Sequence, residues 1–263
     1  MAEVDHRIAT WISNNVLYIA LALGLVWFLK KSLPNLRRRW FAYFMYMFTK
    51  EKDAKIEELK KDLFASMKDI VSQDPELRKQ NSIRILEIGV GTGVNFSHYP
   101  DGSRLVVVDP NPHFKSYYND NRKKFPNIQA EEILVTTGEK MDMVPDNSID
   151  VVVMTLVLCS VTGTEEIMKE ILRVLVPGGK FYFLEHIREF DSENHGTRQK
   201  IQDLLTRIGL WPFLFDGCCL NRDMLPVIEA AGFSKVNGER FYAPVNSFFF
   251  QLIKPHLKGT AEK

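Results

Sequence analysis

The chain opens with two apolar runs before residue 50, and a different rhythm takes over after residue 82. Val16–Leu29 (VLYIALALGLVWFL) has no charged residue and one glycine. Counted from Trp11, across Ser13, Asn14 and Asn15, it approaches the ~20 residues a helix needs to cross a bilayer; counted from Val16 it falls short. Lys30 and Lys31 end the run, Pro34 predicts a helix break, and Arg37, Arg38 and Arg39 follow. Trp40–Phe48 (WFAYFMYMF) is a second apolar stretch, dense in aromatics. Ile56, Leu59, Leu63, Met67 and Ile70 then recur at three- and four-residue spacing, which predicts an amphipathic helix over Lys50–Val71 that covers either the sheet or a substrate pocket. Asp74-Pro75 and the polar run to Ser82 read as a linker.

From Ile83 the pattern is strand, loop, helix, repeated. The expected strands are Ile83–Ile88, Arg104–Val108, Ile128–Val135, Ile149–Thr155, Lys180–Leu184, Lys235–Ala243 and Ser247–Ile253. Helices are expected from Val94, from Asn111-Pro112 to about Lys124, over Thr164–Leu175, and ending at Ala230-Ala231-Gly232. Ile187–Arg222 is a long insertion. The alternation predicts a Rossmann-like α/β fold: a mostly parallel seven-stranded sheet with helices on both faces, behind an N-terminal membrane-anchoring helical segment. The expected division is 1–49 anchor, 50–80 amphipathic helix and linker, and 81–263 catalytic domain.

The N-terminal region admits a single-crossing anchor, a monotopic hairpin turning at Pro34, a cleaved signal peptide, or a soluble core helix. The basic cluster follows the apolar run and no small-x-small site follows it, which argues against cleavage. Five basic residues between Lys30 and Arg39 argue against burial, suit anionic headgroups, and place the rest of the chain in the cytosol. The formal net charge is only +1, so no basic excess points to nucleic acid. The three cysteines, Cys159, Cys218 and Cys219, lack both disulfide-framework and zinc-type spacing. They read as reduced thiols, with no metal expected.

The glycine turn Gly89-Val-Gly91-Thr-Gly93 lies between a strand and an expected helix, where backbone N–H groups meet a ligand. Alone it is compatible with a dinucleotide. Glu87, two residues earlier, separates the alternatives: a carboxylate there repels a pyrophosphate but attracts the ammonium of an amino-acid ligand. S-adenosylmethionine has the ammonium and no phosphate. Asp109, at the end of the second strand, is spaced to accept hydrogen bonds from both ribose hydroxyls, or else starts a turn before Asn111-Pro112. Glu139 is the candidate for the adenine amino group. Leu156, with Val157 and Leu158, is placed to cover the adenine ring or the methyl-transfer channel.

The set LEIGVGTG, VVVDPNP, PDNSIDVVV and RVLVPGGKFYF resembles the class I methyltransferases related to the quinone methyltransferases. DPNPHF, TLVLCSV, FLEHI, LFDGCCLNR, KPHLKG and the apolar N-terminus resemble more closely the membrane-associated thiol S-methyltransferases, the methyltransferase-like family seven. The resemblance runs from Trp40 onward, more loosely before it. It implies that Glu87, Gly89, Gly91 and Gly93 hold the amino-acid part of S-adenosylmethionine, that Asp109 takes the ribose and Glu139 the adenine, and that S-adenosylhomocysteine is the product. Val90 departs from relatives that carry Cys or a small residue there.

Ligands of open α/β sheets sit beyond the carboxyl ends of the strands. Cys159 and Ser160 after the fourth strand, and Glu185 and His186 after the fifth, therefore face the transferable methyl. His186 is the leading base or electrostatic partner for a thiol acceptor, with Asp216 as second base or as the residue orienting His186. Packed readings stand beside these: His186 as a strand-end histidine, Cys159 as a small core residue, Cys218 and Cys219 as lid residues, His98 as a surface group or a contact to the cofactor carboxylate. The expected activity is methylation of a small lipophilic thiol at the endoplasmic reticulum or lipid droplets. The alternatives are a quinone or phospholipid-amine methyltransferase and a non-enzymatic lipid-droplet scaffold.

Overall fold

The computed structural model describes residues 2–50, 53–245 and 249–263. Two compact units make up the chain, Met1–Trp40 and Phe41–Lys263.

Helix α1 (Ala2–Lys50) passes straight through Pro34, so the expected break and the hairpin built on it are absent. A mid-helix proline removes one i→i−4 hydrogen bond. Pro34 and its neighbours Leu33, Asn35 and Leu36 are exposed, and the helix continues past the lost bond. Most side chains of Val16–Leu29 lie outside the described residues. Among the described residues no helix is long and apolar enough to cross a membrane. Those that are described in the first unit include exposed Tyr18, Leu21, Phe28, Leu29, Leu33 and Leu36.

The tail of α1 belongs to the second unit and packs on it. Phe41 meets Phe114 edge-on at 6.1 Å, Phe44 meets Phe215 at 5.7 Å, and Tyr46 stacks on Tyr117 at 4.6 Å. Ala42 is fully buried. From Phe41 on, the second apolar stretch is thus packed against the body, not part of the first unit. The amphipathic segment is also not one helix from Lys50. Residues 51–52 lie outside the described ones, and the Asp53 carboxylate caps a new helix, α2 (Ala54–Phe64), by accepting from Lys55 and Ile56 N–H. Ala65–Asp69 continues it as a 3-10 turn. A helix N-cap of this kind is worth about 1 kcal/mol. Asp74 caps the short α3 (Pro75–Lys79) in the same way.

Seven strands form one sheet in the order β3-β2-β1-β4-β5-β7-β6. They are β1 (Arg84–Ile88), β2 (Arg104–Val108), β3 (Gln129–Leu134), β4 (Ile149–Thr155), β5 (Leu175–His186), β6 (Lys235–Tyr242) and β7 (Pro255–Glu262). The first five pair in parallel, and β7 is antiparallel to both β5 and β6, so the sheet is mixed. The central strands are almost continuously apolar because both faces are covered. Alternate residues separate the two cores: Leu86, Ile88, Val152, Met154, Phe181 and Phe183 face one, while Ile85, Val107, Val151, Val153 and Tyr182 face the other. The remaining helices are α4 (Lys115–Arg122), α5 (Thr164–Val174), α6 (Ser192–Arg207), α7 (Leu210–Leu214) and α8 (Leu225–Ala230).

Three local expectations fail for local reasons. The helix expected after the glycine turn is only a 3-10 turn, Phe96–His98; Pro100 and Asp101-Gly102 leave it too little chain. The last strand is Pro255–Glu262, and Phe249–Ile253 is a 3-10 turn; Ser247, the expected start, lies outside the described residues. The aromatic run looks strand-like, but the inner position between β5 and β6 demands a close approach that Gly259 provides. A Cβ there would lie 2.1 Å from the Asn237 carbonyl oxygen and 2.6 Å from the Phe183 ring. Finally, β5 begins at Leu175, and the register jumps between Ile149↔Leu175 and Val151↔Lys180, absorbing Pro177-Gly178-Gly179 as an irregularity.

One polar staple fixes the start of the domain. Asp150, buried at the foot of β4, accepts from the Ser72 hydroxyl at 2.7 Å, Arg84 N–H at 2.8 Å and Gln73 N–H at 3.2 Å. It ties the linker to the sheet.

Candidate active site

The carboxyl ends of β1, β2, β4 and β5 converge on one edge of the sheet. Gly89, Gly91 and Gly93 all have positive φ, at 72°, 52° and 76°, a region most side chains avoid. Gly89 is also sterically fixed: an added Cβ would sit 2.3 Å from Val157 Cγ2. Gly91 N–H donates to Asp109 Oδ2 at 2.9 Å, and Asn111 N–H donates to Asp109 Oδ1 at 2.8 Å. The buried Asp109 carboxylate is thereby held between the glycine turn and the end of β2.

Glu87 is buried on β1, and Asn95 Nδ2 donates to its Oε1 at 2.7 Å. Burial pushes the Glu87 carboxyl up to about 7, against the nearby Tyr99 hydroxyl and the Asn95 amide, which favour the charge. Glu87 Oε2 and Asn95 Oδ1 are both buried with no hydrogen-bond partner, as is the neighbouring Tyr99 hydroxyl. Two orphaned acceptors in one place are costly unless a donor arrives. A ligand ammonium would satisfy both and restore the carboxylate charge, so these residues fit the amino-acid end of S-adenosylmethionine. Asn95 and Tyr99 were not singled out from sequence; the only signal was a polar residue, Asn95, two positions after Gly93.

Leu156 has φ of 59° and is 39 % exposed. A large aliphatic residue in the left-handed region at the end of a strand carries strain of about 1–2 kcal/mol. Its N–H bonds the Leu184 carbonyl at 2.9 Å, which holds it there. Glu185, fully buried on β5, accepts from Val157 N–H at 3.0 Å. Burial pushes its carboxyl up to about 7, opposed by backbone N–H groups of Val157, Leu158 and Cys159. Glu185 is therefore a positioning residue for the loop after β4. Glu139, in the loop between β3 and β4, reaches the residues just before α5, where its Oε1 accepts from Thr162 N–H at 2.7 Å and Gly163 N–H at 3.3 Å. Burial opposes its charge, yet those backbone bonds hold its carboxyl below the ordinary value.

The two catalytic candidates have different neighbours. His186 Nε2 is 3.0 Å from Cys218 Sγ, and its Nδ1 is buried without a hydrogen-bond partner. Asp216, with φ of 48°, accepts from Asn111 Nδ2 at 3.4 Å, and the Asn111 N–H in turn donates to the Asp109 carboxylate. Cys159 joins His186 and Cys218, their ligating atoms all lying within 4.8 Å of one another. The neighbouring Cys218 thiol and burial raise the Cys159 thiol well above its ordinary value. Cys219 N–H bonds the Cys159 carbonyl at 2.8 Å, so sequence-distant loops are stitched together here. His98 is placed elsewhere, 3.5 Å from the Glu57 carboxylate of α2.

A family model described as a methyltransferase domain matches residues 86–183, from β1 into β5. The human thiol S-methyltransferase TMT1A is 37% identical over 227 residues, 86% of this chain and 87% of its own length. The human thiol S-methyltransferase TMT1B is 35% identical over 249 residues, covering 94% of this chain and 96% of its own. Among solved structures, the N-methyltransferase NodS from Bradyrhizobium japonicum WM9 in complex with S-adenosyl-L-homocysteine aligns with a TM-score of 0.50 at 15% identity, over 81% of this chain and 89% of that one. That likeness concerns the fold. Together with the glycine turn and its two carboxylates, the relatives show that this chain belongs to the thiol S-methyltransferase family of class I methyltransferases and is an S-adenosylmethionine-dependent enzyme.

Proposed function

We propose that the enzyme is membrane-associated and methylates a small lipophilic thiol, releasing S-adenosylhomocysteine. The observation that carries the acceptor class is the likeness to thiol S-methyltransferases over most of the chain. The apolar Val16–Leu29 run and the basic residues after it support a membrane setting, at the endoplasmic reticulum or lipid droplets with the catalytic unit on the cytosolic side.

The sulfonium donor supplies an activated methyl. Glu87 and Asn95 hold its ammonium, the glycine turn admits its amino-acid backbone, and Asp109 accepts from the ribose hydroxyls. Glu139 is the adenine-side candidate, and Leu156 flanks the transfer channel. As the acceptor sulfur bonds the methyl carbon, the carbon–sulfonium bond breaks and its electron pair stays on the departing sulfur. The acceptor's thiol proton must leave, and His186 at the end of β5 is the group that favours the thiolate, with Asp216 second. Alignment and water exclusion supply most of such a displacement.

Labelled S-adenosylmethionine offered to membrane-reconstituted enzyme with lipophilic thiols, quinols and phospholipid amines tests this. Transfer confined to thiols, and lost in Asp109→Ala, is the expected result. Transfer to a quinol or an amine alone would overturn the thiol assignment.

A further inference from the structure

Three side chains far apart in sequence meet in the interior near the acceptor edge. Cys159 follows β4, His186 ends β5, and Cys218 follows α7. All are buried. Among the described residues this is the one group of three cysteine, histidine or acidic side chains whose ligating atoms all fall within 4.8 Å of one another. A tetrahedral zinc ion, with Zn–S of about 2.3 Å and Zn–N of about 2.0–2.1 Å, sets its ligand atoms roughly 3.6–3.8 Å apart. His186 Nε2 and Cys218 Sγ, 3.0 Å apart, would open to reach that spacing, and no two of the three atoms lie farther apart than 4.8 Å.

The surroundings favour a thiolate–metal centre. Trp211 Nε1 donates to Cys218 Sγ at 3.3 Å, the outer-shell N–H contact that stabilises negative sulfur. The bond from Cys219 N–H to the Cys159 carbonyl fixes the two cysteine loops to each other. A divalent cation held there would deprotonate a coordinating thiol outright. Soft sulfur donors with one imidazole select zinc over magnesium or calcium.

We propose that Cys159, His186 and Cys218 bind one zinc ion, leaving a fourth coordination position open to the acceptor. Three protein ligands with an open position is the catalytic rather than the structural pattern. The acceptor role rests on the thiol reading above: an acceptor thiol takes the open position as thiolate, its proton passes to solvent, and His186 acts as ligand. Metal binding itself does not depend on that reading.

The test is metal content of full-length enzyme, purified in detergent under reducing conditions and loaded with zinc. About one zinc per chain is expected, falling to none in Cys159→Ser and Cys218→Ser and retained in Cys219→Ser, with S-adenosylmethionine binding confirming that each variant folds. Cobalt(II) replacement in the wild-type enzyme should give sulfur-to-metal charge transfer in the near ultraviolet, a readout that needs no variant and no acceptor. A wild-type enzyme that binds S-adenosylmethionine yet holds no zinc and shows no cobalt–sulfur band would overturn the proposal. So would a Cys159–Cys218 disulfide, or zinc kept by both serine variants. If zinc is bound and the acceptor proves to be a quinol, the metal site stands and only the thiol reading falls.

Discussion

Glu87→Gln should make the protein more stable and a worse enzyme at once. Burial raises the folded-state carboxyl from the ordinary 4.5 to about 7. Because the folded value lies above the unfolded one, the ionised carboxylate opposes folding. That penalty is absent in acid, grows as pH rises past the unfolded value, and is complete above pH ~7. At about 1.36 kcal/mol per unit, the gap corresponds to on the order of 3 kcal/mol. Glutamine keeps the shape and the acceptor that Asn95 uses, so the thermal midpoint at pH 8 should rise by up to roughly 10 °C and change little at pH 5. Cofactor binding should move the other way. The amide places a donor where the ligand ammonium needs an acceptor, and losing one side of a buried charge pair costs about 2 kcal/mol or more, at least ~30-fold in Kd. In the wild type, affinity should also fall as pH drops below ~7, approaching tenfold per unit, because the ammonium must then displace a proton from Glu87; the variant should be flat. Thermal unfolding at two pH values and calorimetric titration with S-adenosylmethionine measure both. A lower midpoint at pH 8, or an unchanged Kd, would refute the reasoning.

Other substitutions separate the parts of the site. Gly89→Ala sets a Cβ 2.3 Å from Val157 Cγ2 at φ 72°, and should lower the unfolding midpoint by several degrees and abolish saturable cofactor binding. Asp109→Ala removes the acceptor for Gly91 and Asn111 N–H and should weaken S-adenosylmethionine at least ~30-fold in equilibrium binding. His186→Ala should retain cofactor affinity while cutting methyl transfer at neutral pH at least ~10-fold; equal turnover removes it from the mechanism. Asp150→Ala strands three donors at the foot of β4 and should destabilise the fold by roughly 3 kcal/mol, read as a lower denaturant midpoint, with the Kd for cofactor little changed in the folded protein.

The sheet was legible in the sequence because its strands announce themselves twice, as apolar runs and as runs ended by turn residues. RLVVV and IDVVVMT fall where β2 and β4 lie. The glycine turn and Asp109 were equally visible, since their roles depend on local backbone and fixed spacing. What escaped depends on tertiary choice. Nothing local distinguishes the FFQLI turn from a strand; only the gap between β5 and β6, which demands Gly259, decides it. Pro34 looked like a stop because proline costs about 3 kcal/mol inside any helix, a local cost that the long helix α1 nonetheless absorbs. Asn95 is meaningful only beside Glu87. The Cys159, His186 and Cys218 side chains carry no zinc spacing along the chain, and they meet only because two strand ends and a loop converge.

The antiparallel β7 has a consequence for how the chain is built during synthesis. It enters the sheet between β5 and β6, although both of its neighbours precede it. Until Pro255–Glu262 has left the ribosome, β5 has a bare edge and β6 has no partner at all. The nascent domain therefore waits with the apolar β5 open along one edge and the largely polar β6 unpaired, the state in which edge-to-edge association competes with folding. The final closure then happens in one insertion that satisfies two edges together. Mutations in β7 should for that reason lower the yield of soluble protein more than their effect on the finished fold would suggest.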